Sequence, residues 1–240
     1  MQRFSMDLRF LAGRTIHLTC DPVDEKAYRR LLPDCFGMPD HPRVLVSVTS
    51  FGEVEPRPYT PYREAAVLVA ARLGLMEGWH CLAMPVTSRV ALWAGRLVGF
   101  PKELAEVTLT EEGGTFSGVA RSAVPLLELR LTDPQPTEER LLDIPTYHRG
   151  VPFLQLQRWT RGVWVTATSL DMLAPYSAVG QTGSVRISAG PTQPWADLLP
   201  DEAPGQHAVW RTEAVLRHGR VAGHVIEAED VREHEVTMAG

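Results

Sequence analysis

The sequence predicts an α+β protein built mostly from β-strands, and three features of the pattern support this prediction. Runs of alternating or β-branched residues recur along most of the chain. Only two segments have the apolar spacing and the end signals of helices. Two adjacent glycines, Gly113 and Gly114, separate strand patterns within residues 107–119 and predict a hairpin, because glycine adopts the positive φ of tight turns. The predicted strands are residues 14–20, 44–51, 67–73, 80–86, 104–110, 115–121, 126–131, 162–168, 185–188 and 221–227.

The first predicted helix covers residues 24–32. It starts with acidic residues, has Arg29 and Arg30 near its end and stops before Pro33. Acidic groups near the start and basic groups near the end stabilise the helix dipole, and proline cannot continue a helix.

The second predicted helix precedes the most informative segment of the chain. Thr87 or Ser88 can cap its start, and Gly99 followed by Pro101 can end it. This arrangement places Lys102 on a rigid turn between a buried helix and the next strand. Its apolar residues at helical spacing, which we expect to face the core, are Val90, Trp93, Ala94 and Leu97.

Length and composition fit a single domain spanning residues 1–240. The chain has 44% hydrophobic and 22% charged residues, enough to bury a sizeable core, and no linker or internal repeat divides it. The beginning of the sequence lacks the apolar stretch of a signal peptide, and the longest apolar run, residues 65–71, is too short to span a bilayer. These features predict a cytoplasmic protein without a membrane segment.

Charge and metal-ligating residues argue against several functional classes. The net charge is −5 and no basic block occurs, so nucleic acid is not an expected partner. The three cysteines are odd in number and lack Cys-x-x-Cys spacing, which fits a reduced compartment. The eight histidines are scattered, so we predict no metal site.

Lysine is rare in this chain and therefore informative. Of the 24 lysines and arginines, only Lys26 and Lys102 are lysines. A lysine that must lose its proton and attack a carbonyl group cannot be replaced by arginine, because the guanidinium group stays protonated. Lys102 is therefore the candidate nucleophile, with an ordinary charged loop residue as the alternative.

Residues 94–96 and 99–105, which contain Gly-Phe-Pro-Lys at residues 99–102, resemble the signature of acetoacetate decarboxylase and its relatives. In that family the lysine after Phe/Tyr-Pro forms an imine with the substrate. Further segments agree in order and spacing: residues 13–14, 62–64, 182–183 and 197–200. The resemblance implies a large, strongly bent antiparallel sheet that closes into a cone or barrel with a few peripheral helices. It also implies a homo-oligomer.

The resemblance assigns roles to individual residues. Lys102 would attack the ketone of a β-keto acid, Glu64 would relay protons, and Arg14 would orient the carboxylate or hold Glu64 in place. The alternatives are a solvated carboxylate for Glu64 and a surface ion pair for Arg14. Arg96 is expected to tie down the turn through hydrogen bonds to carbonyl groups. The predicted pocket-lining residues are Phe100, Pro101 and Trp93.

Two positions depart from the family pattern. Family members usually carry a second lysine directly after the reactive one, where this chain has Glu103, and a glutamate after Gly-Arg, where it has Leu97. A carboxylate beside the reactive amine would favour the ammonium form. Because neighbouring residues of an extended segment face opposite sides, we predict that Glu103 points away and that burial makes Lys102 reactive.

Three functions fit these residues. The first is a lysine-imine decarboxylase of a β-keto acid such as acetoacetate, which needs no cofactor because the imine itself accepts the electrons. The second is a lysine-imine aldolase or dehydratase that acts on pyruvate-like keto acids. The third is a non-catalytic small-molecule binding protein of the same fold.

Overall fold

The computed structural model describes residues 3–4, 8–55, 60–137, 153–159, 162–172, 180–190, 192–200 and 202–225. The helices are α1 (Glu25–Leu31), α2 (Arg89–Leu97) and a short 3-10 helix (Ala196–Leu198). No helix in these ranges is both long and apolar enough to cross a membrane. The strands are β1 (Arg3–Phe4), β2 (Leu8–Cys20), β3 (Val44–Glu55), β4 (Tyr62–Leu73), β5 (Met76–Val86), β6 (Lys102–Leu104), β7 (Glu106–Glu112), β8 (Thr115–Arg121), β9 (Pro125–Thr137), β10 (Phe153–Trp159), β11 (Gly162–Met172), β12 (Gly180–Ala189) and β13 (Glu202–Val225).

The strands form one sheet in the order β11-β10-β5-β4-β3-β2-β13-β12-β9-β8-β7. Strand β1 pairs with β13, β6 pairs with β5, and β11 makes an additional pairing with β13. Within the described part of the chain, only the pairings of β5 with β6 and with β10 are parallel. The α+β class with a mostly antiparallel sheet is therefore confirmed, whereas closure into a cone or barrel remains a prediction.

Most predicted elements are present. Helix α1 is capped by the carboxylate of Asp24, which accepts hydrogen bonds from the backbone of Lys26 and Ala27. The predicted hairpin is formed by β7 and β8, and Gly113 and Gly114 have φ values of 56° and 76°. The last residues, 230–240, are polar in sequence, from which we predict a frayed end, and they lie outside the described residues.

Strand β10 and most of strand β13 were missed in the sequence, which predicted only the end of β13, within residues 221–227. Strand β10 is short, and its alternation of Leu154 and Leu156 with glutamines was not recognised. The 24-residue strand β13 pairs with four other strands. It contains Pro204 and three glycines, and their low β-propensity makes the strand difficult to recognise from the sequence.

The central strands β2, β3 and β4 are covered on both faces. One face carries apolar side chains such as Ile16, Val48 and Ala65, all at most 1% exposed, which belong to the largest core cluster. The other face carries Leu45, Ala66 and other residues that form a second cluster with residues of β5 and of the segment after α2. The second face holds the candidate site.

Helix α2 buries a different side from the one predicted. The buried residues are Ala91, Ala94, Gly95 and Val98, whereas Val90, Trp93 and Leu97 are exposed. Small residues on the inner side allow the helix to approach the strands closely, which tryptophan or leucine at the same positions would prevent. The predicted apolar face is therefore corrected by one residue, about 100° around the helix axis, and only Ala94 belongs to both faces.

Candidate active site

Lys102 is held at the junction of α2 and β6. Helix α2 starts at Ser88, whose side chain accepts a hydrogen bond from the backbone of Ala91, and its last turn is followed by Gly99 with a φ of 90°. A side chain at Gly99 would also come within 2.6 Å of the carbonyl oxygen of Leu156. The predicted cap at Ser88 and the stop at Gly99 are therefore confirmed.

The turn between α2 and β6 is fixed by hydrogen bonds. The backbone N–H of Phe100 donates to the carbonyl of Gly95 at 3.0 Å, and the N–H of Lys102 donates to the carbonyl of Phe100 at 2.8 Å. The Arg96 side chain donates through Nε to the carbonyl of Lys102 at 2.8 Å. Arg96 thus has the structural role predicted for it. Lys102 is the first residue of strand β6 rather than part of a loop, because residues 102–104 pair with β5.

The stem of Lys102 lies against the inner side of α2. A Cβ atom at Gly95 would lie 2.4 Å from both Cδ and Cε of Lys102, far inside van der Waals contact. Gly95 therefore provides the space through which the lysine passes. The sequence signal for this role was a glycine inside a helical pattern, which lowers helix propensity and usually has a packing reason.

Lys102 and Glu64 meet across strand β5. Glu64 lies on β4 opposite Val86 of β5, and Lys102 on β6 lies beside Met84 of the same strand. The ammonium Nζ of Lys102 donates to Oε2 of Glu64 at 2.9 Å. Their side chains are only 8% and 16% exposed. The two groups predicted to act together are thus brought into direct contact in a largely desolvated place.

Tyr62 and Cys81 complete the near surroundings of this pair. The amine of Lys102 lies 5.6 Å from the ring centroid of Tyr62, within the range of a cation–π contact. Burial raises the pKa of the Cys81 thiol, and the negative charge of Glu64 raises it further. Cys81 is therefore a neutral, apolar wall of the site rather than a second nucleophile.

Glu103 has the orientation that the sequence predicted. It follows Lys102 on β6 and is exposed, whereas Lys102 is buried. Its side chain lines a crevice on the other side of the strand together with Pro85, Gln193 and Trp195. The carboxylate of Glu103 is therefore directed away from the amine of Lys102.

The other predicted site residues have different positions. Phe100 is buried at 6% exposure, and its ring packs edge-on against Phe153 with centroids 5.6 Å apart. Pro101 is exposed on the turn. Trp93 is 68% exposed, on the side of α2 away from Gly95 and Lys102, which corrects its prediction as a pocket residue.

Arg14 is also away from the pair formed by Lys102 and Glu64. Arg14 on β2 pairs with Ser50 on β3, and Ser50 pairs with Arg63 on β4. Arg63 directly precedes Glu64, so Arg14 belongs to the row of paired residues next to that of Glu64. Successive side chains of a strand point to opposite faces. The exposed Arg14 side chain therefore leaves β2 on the face opposite to Glu64. The structure brings Glu64, but not Arg14, to Lys102.

Within the described ranges, no group of three or more histidine, cysteine, aspartate or glutamate side chains could hold a metal ion. The chemistry that the arrangement itself offers is a buried primary amine in direct contact with a carboxylate. Such a pair can transfer a proton and leave a nucleophilic nitrogen.

Comparison with known proteins gives a consistent result. The sequence model of the acetoacetate decarboxylase family matches residues 2–225. No sequence among curated proteins matches the chain significantly.

Several solved structures share the fold of this chain, among them the following three. An acetoacetate decarboxylase structure is 13% identical, covers 92% of this chain and 91% of its own, and has a TM-score of 0.75. The acetoacetate decarboxylase of Legionella pneumophila subsp. pneumophila str. Philadelphia 1 is 17% identical, with coverages of 93% and 90% and a TM-score of 0.74. The enduracididine biosynthesis enzyme MppR, in complex with the condensation product of pyruvate and imidazole 4-carboxaldehyde, is 17% identical, with coverages of 93% and 91% and a TM-score of 0.70.

Proposed function

Because the chain belongs to the acetoacetate decarboxylase family, we propose that it is a lysine-imine enzyme that decarboxylates a β-keto acid such as acetoacetate. The observation that supports this proposal is the buried contact of 2.9 Å between the amine of Lys102 and the carboxylate of Glu64. The amine is the nucleophile and the carboxylate is the proton relay. Phe100 forms part of the apolar surroundings that keep the site desolvated.

The reaction begins with a proton transfer from the Lys102 ammonium to Glu64. The neutral amine adds to the keto carbon, Glu64 returns the proton to the carbinolamine oxygen, and water leaves to give a protonated imine. The bond between the α-carbon and the carboxylate then breaks, and its electron pair moves through the α-carbon to the imine nitrogen. Carbon dioxide leaves and an enamine remains.

Protonation of the enamine carbon restores the imine, and addition of water releases the ketone and the free amine of Lys102. Glu64 is placed to give and take these protons because it is already hydrogen-bonded to the reacting nitrogen. The imine nitrogen accepts the electrons, so the proposed reaction requires no cofactor.

A second candidate is an aldolase or dehydratase that forms the same imine with pyruvate-like keto acids. It is favoured by the structural similarity to MppR, whose complex contains a condensation product of pyruvate. Glu103 in place of the family's usual second lysine also separates this chain from a strict acetoacetate decarboxylase. In this reaction the enamine would attack an aldehyde or lose a leaving group, and the carboxylate of the keto acid would be retained.

Borohydride trapping tests the proposal. The native protein and the variants Lys102→Arg and Lys26→Arg are treated with acetoacetate or pyruvate and then with borohydride, and the adduct is located by peptide mapping. Lys26 is the matched control, because it is the second lysine of the chain and lies exposed on α1. We expect an adduct on Lys102 in the native protein and in Lys26→Arg, none in Lys102→Arg, and release of carbon dioxide from acetoacetate.

The other outcomes separate the alternatives. An adduct with pyruvate without carbon dioxide release from acetoacetate would support the aldolase or dehydratase. A folded native protein that gives no adduct with either keto acid would contradict imine catalysis on these substrates and favour a binding protein.

We also propose, from the sequence and the family resemblance, that the protein is a cytoplasmic homo-oligomer whose sheet closes around the site through the pairing of β11 with β13. Light scattering of the purified protein measures the number of subunits, and a monomer would contradict this part of the proposal.

A further inference from the structure

The face that carries Glu64 continues as a pair of buried hydroxyl groups. Thr49 on β3 lies directly opposite Glu64 on β4, and Thr15 on β2 lies directly opposite Thr49. Directly paired residues of antiparallel strands project from the same face of the sheet. Glu64, Thr49 and Thr15 therefore form one row that leads away from Lys102, and we call the two threonines the hydroxyl pair.

The two faces of these strands have different chemistry although both are buried. The neighbouring positions on the opposite face are Ile16, Val48 and Ala65, all apolar. Thr15 and Thr49 are only 3% and 8% exposed. Burying a hydroxyl group costs free energy unless it is hydrogen-bonded, and a valine of similar shape would avoid this cost. The hydrogen bond between the two threonines offsets this cost, and the hydrogen-bonding capacity that it leaves can serve a ligand.

The hydroxyl pair can either donate a hydrogen bond to a ligand or accept one from it. The two Oγ1 atoms are 2.8 Å apart and either can be the donor. When Thr15 donates to Thr49, the hydrogen of Thr49 is available for a ligand. In the second state, the hydroxyl of Thr15 donates to the carbonyl of Val48, 3.3 Å away, and accepts a hydrogen bond from Thr49. The oxygen of Thr49 can then accept a hydrogen bond from the ligand. A ligand hydroxyl, which is both donor and acceptor, matches both states.

The surroundings of the hydroxyl pair favour a neutral group over a second carboxylate. The next row on the same face holds Ala66, Ser47 and His17, and contains no lysine or arginine. The neighbouring carboxylate of Glu64 repels an anion. A buried charge without a partner of opposite sign is costly, whereas a neutral oxygen needs only the hydrogen bond that Thr49 offers.

From these observations, and resting on the proposed function, we propose that the substrate is a keto acid that carries a hydroxyl group beyond its keto carbon, and that Thr49, supported by Thr15, binds this hydroxyl. Neighbouring strands are about 4.8 Å apart, so Thr49 lies one such spacing from Glu64 and suits a hydroxyl roughly two carbons beyond the keto carbon. Acetoacetate has only a methyl group there and leaves the hydroxyl pair unused.

A competition experiment tests this inference. Equal amounts of δ-hydroxy-β-ketovalerate and β-ketocaproate, which differ by a hydroxyl against a methyl group, are trapped together with borohydride, and their adducts are quantified on the peptide that contains Lys102. We expect the native protein to favour the hydroxy acid about tenfold, the typical effect of one hydrogen bond whose partner would otherwise stay unpaired. Thr49→Val and Thr15→Val should reduce this preference, and Thr49→Ser should keep it. Thr108→Val, the same change at a half-buried position on β7, is the matched control and should leave it unchanged.

The result separates this inference from the proposed function. Equal trapping of the two acids by the native protein, or a preference that Thr49→Val and Thr15→Val leave intact, would overturn the role of the hydroxyl pair while imine chemistry stands. If acetoacetate and both analogues give no adduct on Lys102, the proposed function fails and this inference fails with it.

Discussion

Two ion pairs of this protein have the same shortest distance and opposite surroundings. Lys102 and Glu64 are 2.9 Å apart with side chains 8% and 16% exposed, and Arg121 and Glu106 are 2.9 Å apart with side chains 59% and 56% exposed. The exposed pair has the better geometry, because Arg121 donates two hydrogen bonds to the two carboxylate oxygens of Glu106. Distance and hydrogen-bond number therefore do not distinguish a surface contact from a candidate catalytic pair, whereas burial does.

The physical reason is the surrounding medium. Water screens the charges of an exposed pair, and such pairs are usually worth no more than about 1 kcal/mol. A buried pair must recover the cost of desolvating both charges, so its presence is weak evidence for stability. Function rather than stability is therefore the proposed reason for burying Lys102 and Glu64.

The largest expected difference between the pairs concerns catalysis. Glu64→Gln retains the shape of the side chain but removes the proposed proton relay, so we expect kcat for carbon dioxide release to fall about a hundred- to ten-thousand-fold. Glu106→Gln is the matched control and should leave kcat unchanged. A Glu64→Gln protein that keeps more than a tenth of native kcat would show that Glu64 is not the proton relay.

The next prediction compares the two aromatic residues that the sequence placed in the pocket. Phe100 is 6% exposed and Trp93 is 68% exposed. We expect Phe100→Ala to lower the free energy of unfolding by about 3–5 kcal/mol, as is typical for a buried aromatic residue. Trp93→Ala should change it by no more than about 0.5 kcal/mol, as is typical for a surface residue, and should leave borohydride trapping unaffected.

Urea denaturation measures both values. A large loss of stability in Trp93→Ala would mean that its exposed side is covered by another surface in solution. A small loss in Phe100→Ala would mean that the cluster beside Lys102 contributes little to folding.

Gly95 offers a way to disturb the buried pair without removing either charge. Gly95→Ala adds a methyl group where Cδ and Cε of Lys102 now lie, so the stem of the lysine must move. Misplacement of a reacting group by about 1 Å can cost roughly a hundredfold in rate, and we expect a loss of that order in imine trapping. Alanine also favours the helix by about 1 kcal/mol over glycine, so the variant should remain folded.

Gly37→Ala is the control for this variant, because its new Cβ would have only ordinary contacts, the nearest at 3.6 Å from Nε of Arg72. Trapping at the native rate in Gly95→Ala would show that the lysine stem can adopt another productive path.

The sequence predicted local features of the site better than their arrangement in space. The cap at Ser88 and the stop at Gly99 depend on neighbouring residues, and the structure has both in the predicted form. The reactivity of Lys102 stays a prediction. The partnership of Lys102 with Glu64 came from a family resemblance. No local rule relates residues 38 positions apart on β4 and β6, which meet only because β5 lies between them.

The errors have identifiable physical causes. Helix α2 has two candidate apolar faces that are offset by one residue, about 100° around the axis, and hydrophobicity alone favours the larger residues Trp93 and Leu97. Close approach to the strands requires the small residues Ala91 and Gly95 instead. The face on which Arg14 lies could not be predicted either, because a shift of one residue in register reverses the face of every side chain in a strand.

The smallest expected effect is the pH dependence of the exposed pair. The guanidinium group of Arg121 holds the pKa of Glu106 below its ordinary value of 4.5. The carboxylate of Glu106 therefore binds a proton less readily in the folded state than in the unfolded state. The contribution of the pair to stability is complete above pH 4.5 and is lost as the pH falls through the lowered pKa of the folded state. Urea denaturation should show a slightly higher free energy of unfolding for the native protein than for Glu106→Gln at pH 7. This difference should disappear in acid and also in high salt, because salt screens exposed charges. A difference in free energy of unfolding that grows in acid would contradict the assigned direction of the pKa shift. A difference that does not depend on salt would mean that this pair, like that of Lys102 and Glu64, is shielded from solvent.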